Sequence, residues 1–368
     1  MNKLIFDSSG DKLIYRISNA DGKVWYVPDT NSKIELQLYQ PSSINGKLLK
    51  SFFPVIKRFS FIRNLLGISV HKYAVQSFLC ELLCKIYKVE NIEVSAFYGT
   101  PSVHQKITMQ VTDESNILGY CKISDKEEIK ALFRHEETIL KTLYDCGIMG
   151  VPKCLYNGVL KDQAHIFAQT TTKTKNSKDF HHLSDKHWNF LSQLQQKTKT
   201  CLPFEESDFY QALQILKKNL IHLSDFDENA VKAAIIQAEE YYKGKRVEFS
   251  YYHSDFTPWN MFLEKGELFV FDWEYAKRTF PHFLDAFHFF TQVSIYEKHK
   301  NAKEIMVTYH VKRMMFVKYF ENPEFSYKCY LLSMISLYLH RDNGAFSEVV
   351  VNNFRLWTKL LQLLQKKK

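Results

Sequence analysis

Most strand-like segments of this 368-residue chain lie before residue 170 and the chain beyond is mainly helical, and that order leaves few architectures open. Residues 12–28 read as two strands around an Asn19-Ala-Asp-Gly22 turn, and 34–40 as a further strand. Residues 92–123 alternate as a three-strand meander, with turns at Gly99-Thr-Pro-Ser and at 112–116. Asp125 opens a helix with acidic residues in its first turn and Gly147 closes it. A strand pair at 153–159 and 164–169 then runs into the polar connector Thr170-Thr-Thr-Lys-Thr-Lys-Asn176. Helices follow at 184–197, 206–223 and 228–243, with strand-like interruptions at VEFSYYH and ELFVFDW and more helices to the C-terminus. The pattern predicts an α+β chain of two lobes, a small antiparallel-sheet lobe at 91–169 and a larger, mainly helical lobe at 170–368. Residues 1–90 form an N-terminal extension of short strands followed by basic amphipathic helices.

Composition fits that picture. Hydrophobic residues at 45% and charged ones at 24% exclude a disordered chain, and 12 Gly with 9 Pro exclude linker-like or collagen-like ones. The net charge of +9 favours anionic partners. No concentrated Arg/Lys and aromatic stripe is present, so no specific nucleic acid is expected. The seven cysteines include no C-x-x-C, and Met1 to Gly10 lacks the basic-then-apolar design of a secretory signal. No apolar run approaches the roughly 20 residues that cross a bilayer. A cytoplasmic protein with reduced thiols is expected.

From about Leu48 to Val89 the apolar spacing is helical, and Lys50, Lys57, Arg58, Arg63, Lys72, Lys85 and Lys88 face only Glu81. Such a stretch suits either peripheral contact with an anionic membrane, at the inner face, or a solvated helix face packed on the next domain.

Motifs for P-loop, dinucleotide, zinc-protease and serine-hydrolase chemistry are absent. One segment carries polar chemistry between apolar strands: SYYHSDFTPWNMFLEKGELFVFDWEYA at 250–276, with His253, Asp255, Asn260 and Asp272. A carboxylate, a carboxamide five residues on, and a carboxylate twelve further suit phosphoryl transfer, which needs a base, oxygen ligands for Mg2+ and cations against phosphates. Asp255 can accept a hydroxyl proton. Asn260 and Asp272, brought together by the Glu264-Lys-Gly266 hairpin, can hold the metal.

HSDFTPWN resembles the H-x-D-x-x-x-x-N catalytic loop of the protein-kinase-like superfamily. Pro258-Trp259 before the Asn, and Asp272-Trp273-Glu274 at the second carboxylate, are similar to the aminoglycoside phosphotransferase and choline kinase branch. The resemblance implies a two-lobed protein-kinase-like fold and Mg2+-dependent transfer of the ATP γ-phosphate to a hydroxyl of a small molecule or glycan. It implies Asp255 as base, Asn260 and Asp272 as metal ligands, and His253 and Asp285 as supports of the loop. It places Lys122, in the strand GYCKIS, at the ATP phosphates, paired with Glu136 or the adjacent Glu137. The wording FTPWN and FDWEYA is similar to phosphotransferases of bacterial surface-polysaccharide synthesis, which points toward a sugar or glycan acceptor.

Departures from the pattern are visible. The expected phosphate loop at 97–104 has one glycine, Gly99, and Ser254 stands where protein kinases place an Arg before the catalytic Asp. The glycine-poor loop also suits a pseudokinase, a non-catalytic nucleotide-binding or scaffold module. Trp259, Trp273, Phe287 and Phe290 are candidates for an acceptor platform or for core.

Overall fold

The computed structural model describes residues 3–30, 32–41, 44–100, 105–223 and 226–365. The chain divides into two compact units, the first made of 1–145, 149–179 and 262–274, the second of 146–148, 180–261 and 275–368.

In the first unit an eight-stranded sheet is built from β1 (Phe6–Ser18), β2 (Val24–Pro28), β3 (Ser69–Val75), β4 (Glu93–Tyr98), β5 (Ile107–Thr112), β6 (Ile117–Ser124), β7 (Cys154–Lys161) and β8 (Ala164–Thr170), in the order β3-β1-β2-β4-β5-β6-β8-β7. The pairings in register are antiparallel. Strand alternation sorts the side chains. Ile14, Tyr26, Val94, Met109, Cys121 and Ile166 share one apolar cluster, while Tyr15, Trp25 and Val27 join another with Phe97 packed against it. The register Thr108↔Lys122↔Phe167 puts Lys122 on the Phe97 side, because Phe97 pairs with Thr108. Helices α1 (Ser32–Glu35), α2 (Ile44–Ile56), α3 (Ser60–Leu65), α4 (Ser77–Tyr87) and α5 (Glu127–Asp145) complete the unit's helical content.

The sheet changes what the first 90 residues are. Residues 69–75, expected to continue a helix, form β3 and pair with the otherwise open edge of β1. Pairing across the chain outweighs the local apolar spacing there. Residues 34–40, expected as a strand, begin in α1 instead. Ile34, Glu35 and Leu36 are all buried, so no alternation survives. Glu35 accepts hydroxyl hydrogen bonds from Ser95 (2.7 Å) and Thr112 (2.8 Å), which plug the segment onto the sheet. Because one sheet runs from β3 to β7, the boundary expected at 90/91 falls inside a compact unit.

The boundary expected at 169/170 shifts for a similar reason. The segment to Asp179 stays with the first unit, where Lys178 and Leu263 exchange two backbone hydrogen bonds of 2.9 Å. Thr174 and Ser177 also donate to Glu264. The hairpin of β11 (Met261–Glu264) and β12 (Glu267–Val270) turns on Lys265 and Gly266. Both have positive φ, +52° and +83°, as a two-residue hairpin turn requires.

The second unit holds α6 (Asp185–Thr198), α7 (Asp208–Lys218), α8 (Glu228–Tyr242), α9 (Leu284–Gln292), α10 (Ala302–Val317), α11 (Pro323–Asp342) and α12 (Glu348–Gln365). A small sheet is ordered β13 (Lys277–Phe280), β10 (Arg246–Tyr252), β9 (Thr200–Pro203). Every residue of α9 is buried. Its Phe287 stacks on Phe316 at 4.6 Å and on Tyr327 at 4.8 Å, so the aromatic excess of the sequence is largely spent on this interior.

Candidate active site

Lys122 stands on β6 facing α5, and its ammonium is the hub of a charge cluster. Nζ lies 2.6 Å from Glu136, 2.5 Å from Asp272 and 3.3 Å from Glu274. Burial alone would depress the lysine, but the carboxylates of Asp272, Glu136 and Glu274 outweigh it and hold the ammonium well above its usual range. Lys106 adds a second cation, paired with Glu274 and 3.6 Å from Asp272. Between Glu136 and Glu137 the geometry is decisive. Glu136 takes Lys122 and also accepts the Trp273 backbone N–H at 3.1 Å, whereas Glu137 accepts from Asn157 at 2.9 Å.

Asp272 is brought into this cluster by backbone shape. Val270 donates to the Gly150 carbonyl, the Trp273 indole N–H returns to the Val270 carbonyl, and Asp272 itself adopts φ +69°. Glu136, Asp272 and Glu274 can offer three carboxylate oxygens within 4.8 Å of one another. This is an oxygen-only donor set of the kind magnesium takes.

In the second unit the loop after β10 carries Asp255. Its Oδ2 accepts from Asn260 Nδ2 at 2.7 Å, and its Oδ1 lies 3.2 Å from His288 Nε2. Asn260 also donates to the Asp255 carbonyl at 3.0 Å, tying the two ends of the loop together. Beneath it, buried Asp285 accepts the backbone N–H groups of His253 (2.8 Å) and Ser254 (3.2 Å), and Ser254 takes φ +70°. Burial pushes Asp285 up to about 8 despite those two donors. His253 is fully buried, and its Nδ1 accepts from the Asp255 N–H at 3.2 Å.

Two neighbouring aromatics stay accessible beside this loop. Trp259, 38% exposed, meets Tyr296 edge to face at 6.1 Å, and Tyr296 is 41% exposed. Of the other platform candidates, Trp273, Phe287 and Phe290 are core.

Solved structures share this arrangement of strands and helices. A thermostable mutant of the aminoglycoside phosphotransferase APH(4)-Ia, in its apo form, superposes with a TM-score of 0.51 over 77% of this chain and 97% of that one, at 8% identity. The ternary complex of a mutant of the same enzyme with ADP and hygromycin B gives 0.50, with 78% and 98% coverage at 10% identity. This chain has the aminoglycoside phosphotransferase fold. Choline kinase LicA from Streptococcus pneumoniae is a further match, at 0.46 over 78% of this chain and all of that one, with 15% identity. No family model matches the sequence, and no curated protein does.

The structure thus collects Lys122, Glu136 and Asp272 in one cluster, and His253, Asp255, Asn260 and Asp285 in another. Gly99 closes β4, its carbonyl accepting from Gln105 at 2.6 Å, and a Cβ placed there would meet no atom within 4 Å. Residues 101–104 of the expected phosphate loop lie outside the described residues. Two members of these clusters, Lys106 and His288, are not singled out by the sequence, and Glu274, part of the Asp272-Trp273-Glu274 motif, has no role assigned there. Lys106 was within reach, since a period of two from Thr108, the register partner of Lys122, places it on the same sheet face. For His288, three residues after Asp285 in a helix buried along its whole length, no local signal exists.

Proposed function

We propose that the protein is a phosphotransferase that moves the γ-phosphate of ATP to a hydroxyl group. The observation that carries this reading is the Asp255 carboxylate, held at both oxygens by Asn260 and His288 on a loop pinned by buried Asp285. The aminoglycoside phosphotransferase fold supports it, and so does the structural neighbour APH(4)-Ia, which forms a ternary complex with ADP and hygromycin B.

In this mechanism Lys122, and Lys106 beside it, meet the phosphates as fixed positive charge, while Glu136 holds Lys122 in place. Asp272 would hold magnesium, with Asn260 as the second ligand that the resemblance implies; the ion when bound would offset phosphate charge, and the carboxylate oxygens gathered around Asp272, from Glu136 and Glu274, fit it. Asp255 accepts the acceptor's hydroxyl proton. The acceptor oxygen bonds to the γ-phosphorus as the bond to the β–γ bridging oxygen breaks, giving a phosphate ester and ADP. His253 and Asp285 keep the loop in shape.

The acceptor is proposed to be a sugar or glycan hydroxyl of surface-polysaccharide synthesis. The exposed Trp259–Tyr296 pair supports this, because an aromatic face next to the base suits the apolar face of a sugar ring.

The test is ATP turnover against a panel of sugars, glycans, aminoglycosides and choline, with calorimetry for nucleotide binding. Asp255→Asn should lower turnover by about a thousandfold, within the range of general-base contributions, and leave ATP binding intact. Wild-type turnover by Asp255→Asn would remove the base. ATP binding without transfer to any acceptor would favour the pseudokinase instead.

A further inference from the structure

The helices α2 and α3 display apolar side chains where a globular protein normally places polar ones. On α2, Leu49, Phe53 and Ile56 pack into the cluster around Tyr15, Trp25 and Tyr39. Its other side carries Leu48, Phe52 and Val55, spaced four and three residues apart and all exposed. The helix α3 buries nothing, and Phe61 and Leu65 on it are 78% and 76% exposed. Phe59 and Leu66 flank it, also exposed. Scattered surface apolar residues are ordinary; a run of them on two consecutive helices marks an interaction surface.

The charge of this segment selects the partner. No acidic residue occurs between Glu35 and Glu81. Lys57 is neutralised by Asp29 at 2.6 Å, but Lys47 and Arg58 lie exposed beside the apolar side chains. A second copy docked symmetrically on this face would set like charges against like, with no carboxylate of the segment to relieve them. An anionic lipid surface accepts both features together, taking Phe and Leu side chains at the acyl boundary and Lys and Arg at the headgroups. Among the described residues no helix is long and apolar enough to cross a membrane, so contact by this face is peripheral.

We propose that Lys47–Leu66 is a membrane-interface anchor for anionic bilayers. It is independent of the phosphotransferase reading, since it uses none of the residues assigned there. It narrows the basic stretch of 50–88 to its first part: Lys72 lies on β3, and α4 sends Leu79 and Leu83 into the core.

The experiment is flotation of the full chain with vesicles of phosphatidylcholine alone, or of phosphatidylcholine with phosphatidylglycerol. The protein should float with the anionic vesicles and be released progressively as salt screens the headgroups. Phe61→Ser combined with Leu65→Ser should lower partitioning by about tenfold or more, and Lys47→Glu with Arg58→Glu comparably. These side chains are exposed, so thermal unfolding should stay at the wild-type value; the salt titration of the wild-type chain tests the anchor without any variant. Absence of flotation, or flotation unchanged in both variants, would overturn the proposal. So would equal flotation with phosphatidylcholine alone. Sedimentation showing Phe61-dependent self-association without vesicles would give the face to a second copy and overturn it too.

Discussion

His288 Nε2 and Asp255 Oδ1 lie 3.2 Å apart, with the imidazole buried and the carboxylate 38% exposed as a side chain. The other ring nitrogen, Nδ1, is buried with no hydrogen-bond partner among the described residues. A buried N–H left unpaired is costly, so the ring carries its proton on Nε2, where it donates to Asp255. Asn260 fixes the second oxygen, and the carboxylate can neither rotate nor swing away.

From that contact follows a first expectation. In His288→Leu, Asp255 keeps Asn260 but loses its second anchor, at about 1.5–3 kcal/mol for a hydrogen bond to a charged group. We expect kcat to fall about ten- to a hundredfold with ATP affinity unchanged. Steady-state kinetics with a calorimetric Kd separates the two; a matching loss of ATP affinity would mean a general structural defect instead.

Lys122→Met leaves Glu136, Asp272 and Glu274 gathered in a largely buried place with only Lys106 to offset them. Removing one partner of a buried ion pair costs about 3–5 kcal/mol. Urea denaturation should show a loss near the lower end of that range, since Lys106 remains, and ATP should no longer raise the melting temperature. A variant as stable as wild type would show that the carboxylates are uncharged or solvated.

Gly150 has φ +77°, and a Cβ there would come within 2.2 Å of the Leu268 carbonyl oxygen. Its own carbonyl accepts from Val270, two residues before Asp272. Gly150→Ala should therefore cost about 2 kcal/mol or more, both through the left-handed backbone and through displacement of β12. The denaturation midpoint reads the stability. A neutral outcome would mean that the strand shifts freely.

Burial lowers His187 to about 4, among the rings of Phe180, Phe256 and Phe289. The unfolded chain binds this proton near pH 6.5, the folded one only near pH 4, so stability is intact above about 6.5 and lost as pH falls toward 4. A difference of this size is worth about 3 kcal/mol over the window. His187→Gln should flatten the acid slope of the unfolding free energy between those values. An unchanged slope would assign acid sensitivity to other groups.

Much of the candidate site was legible because it is local in sequence. His253, Asp255 and Asn260 sit on one short loop, and the loop's own polar residues between apolar strands announce it. The meander, α5 and the helical second half were legible too, since each has the periodicity of its own element. Where reading failed, partners were distant. Residues 69–75 have apolar spacing that fits a helix, yet β1 claims them as a strand. Residues 34–36 alternate on paper, but Glu35 is drawn into the sheet by Ser95 and Thr112, some 60 and 77 positions away.

By itself, the sequence determined the chemistry available: two carboxylates flanking a carboxamide, a strand lysine, and an acid-free apolar segment at 36–80. Each is set by residue type and short spacing, which the chain cannot alter by folding. The tertiary structure alone decided which carboxylate pairs with Lys122, that Lys106 and Glu274 join it, and that His288 grips Asp255. It also decided which aromatic residues remain in solvent. Those outcomes depend on side chains meeting across tens to more than a hundred positions of sequence, where strand register, helix phase and the cost of unpaired buried charge choose among alternatives that look equal in one dimension.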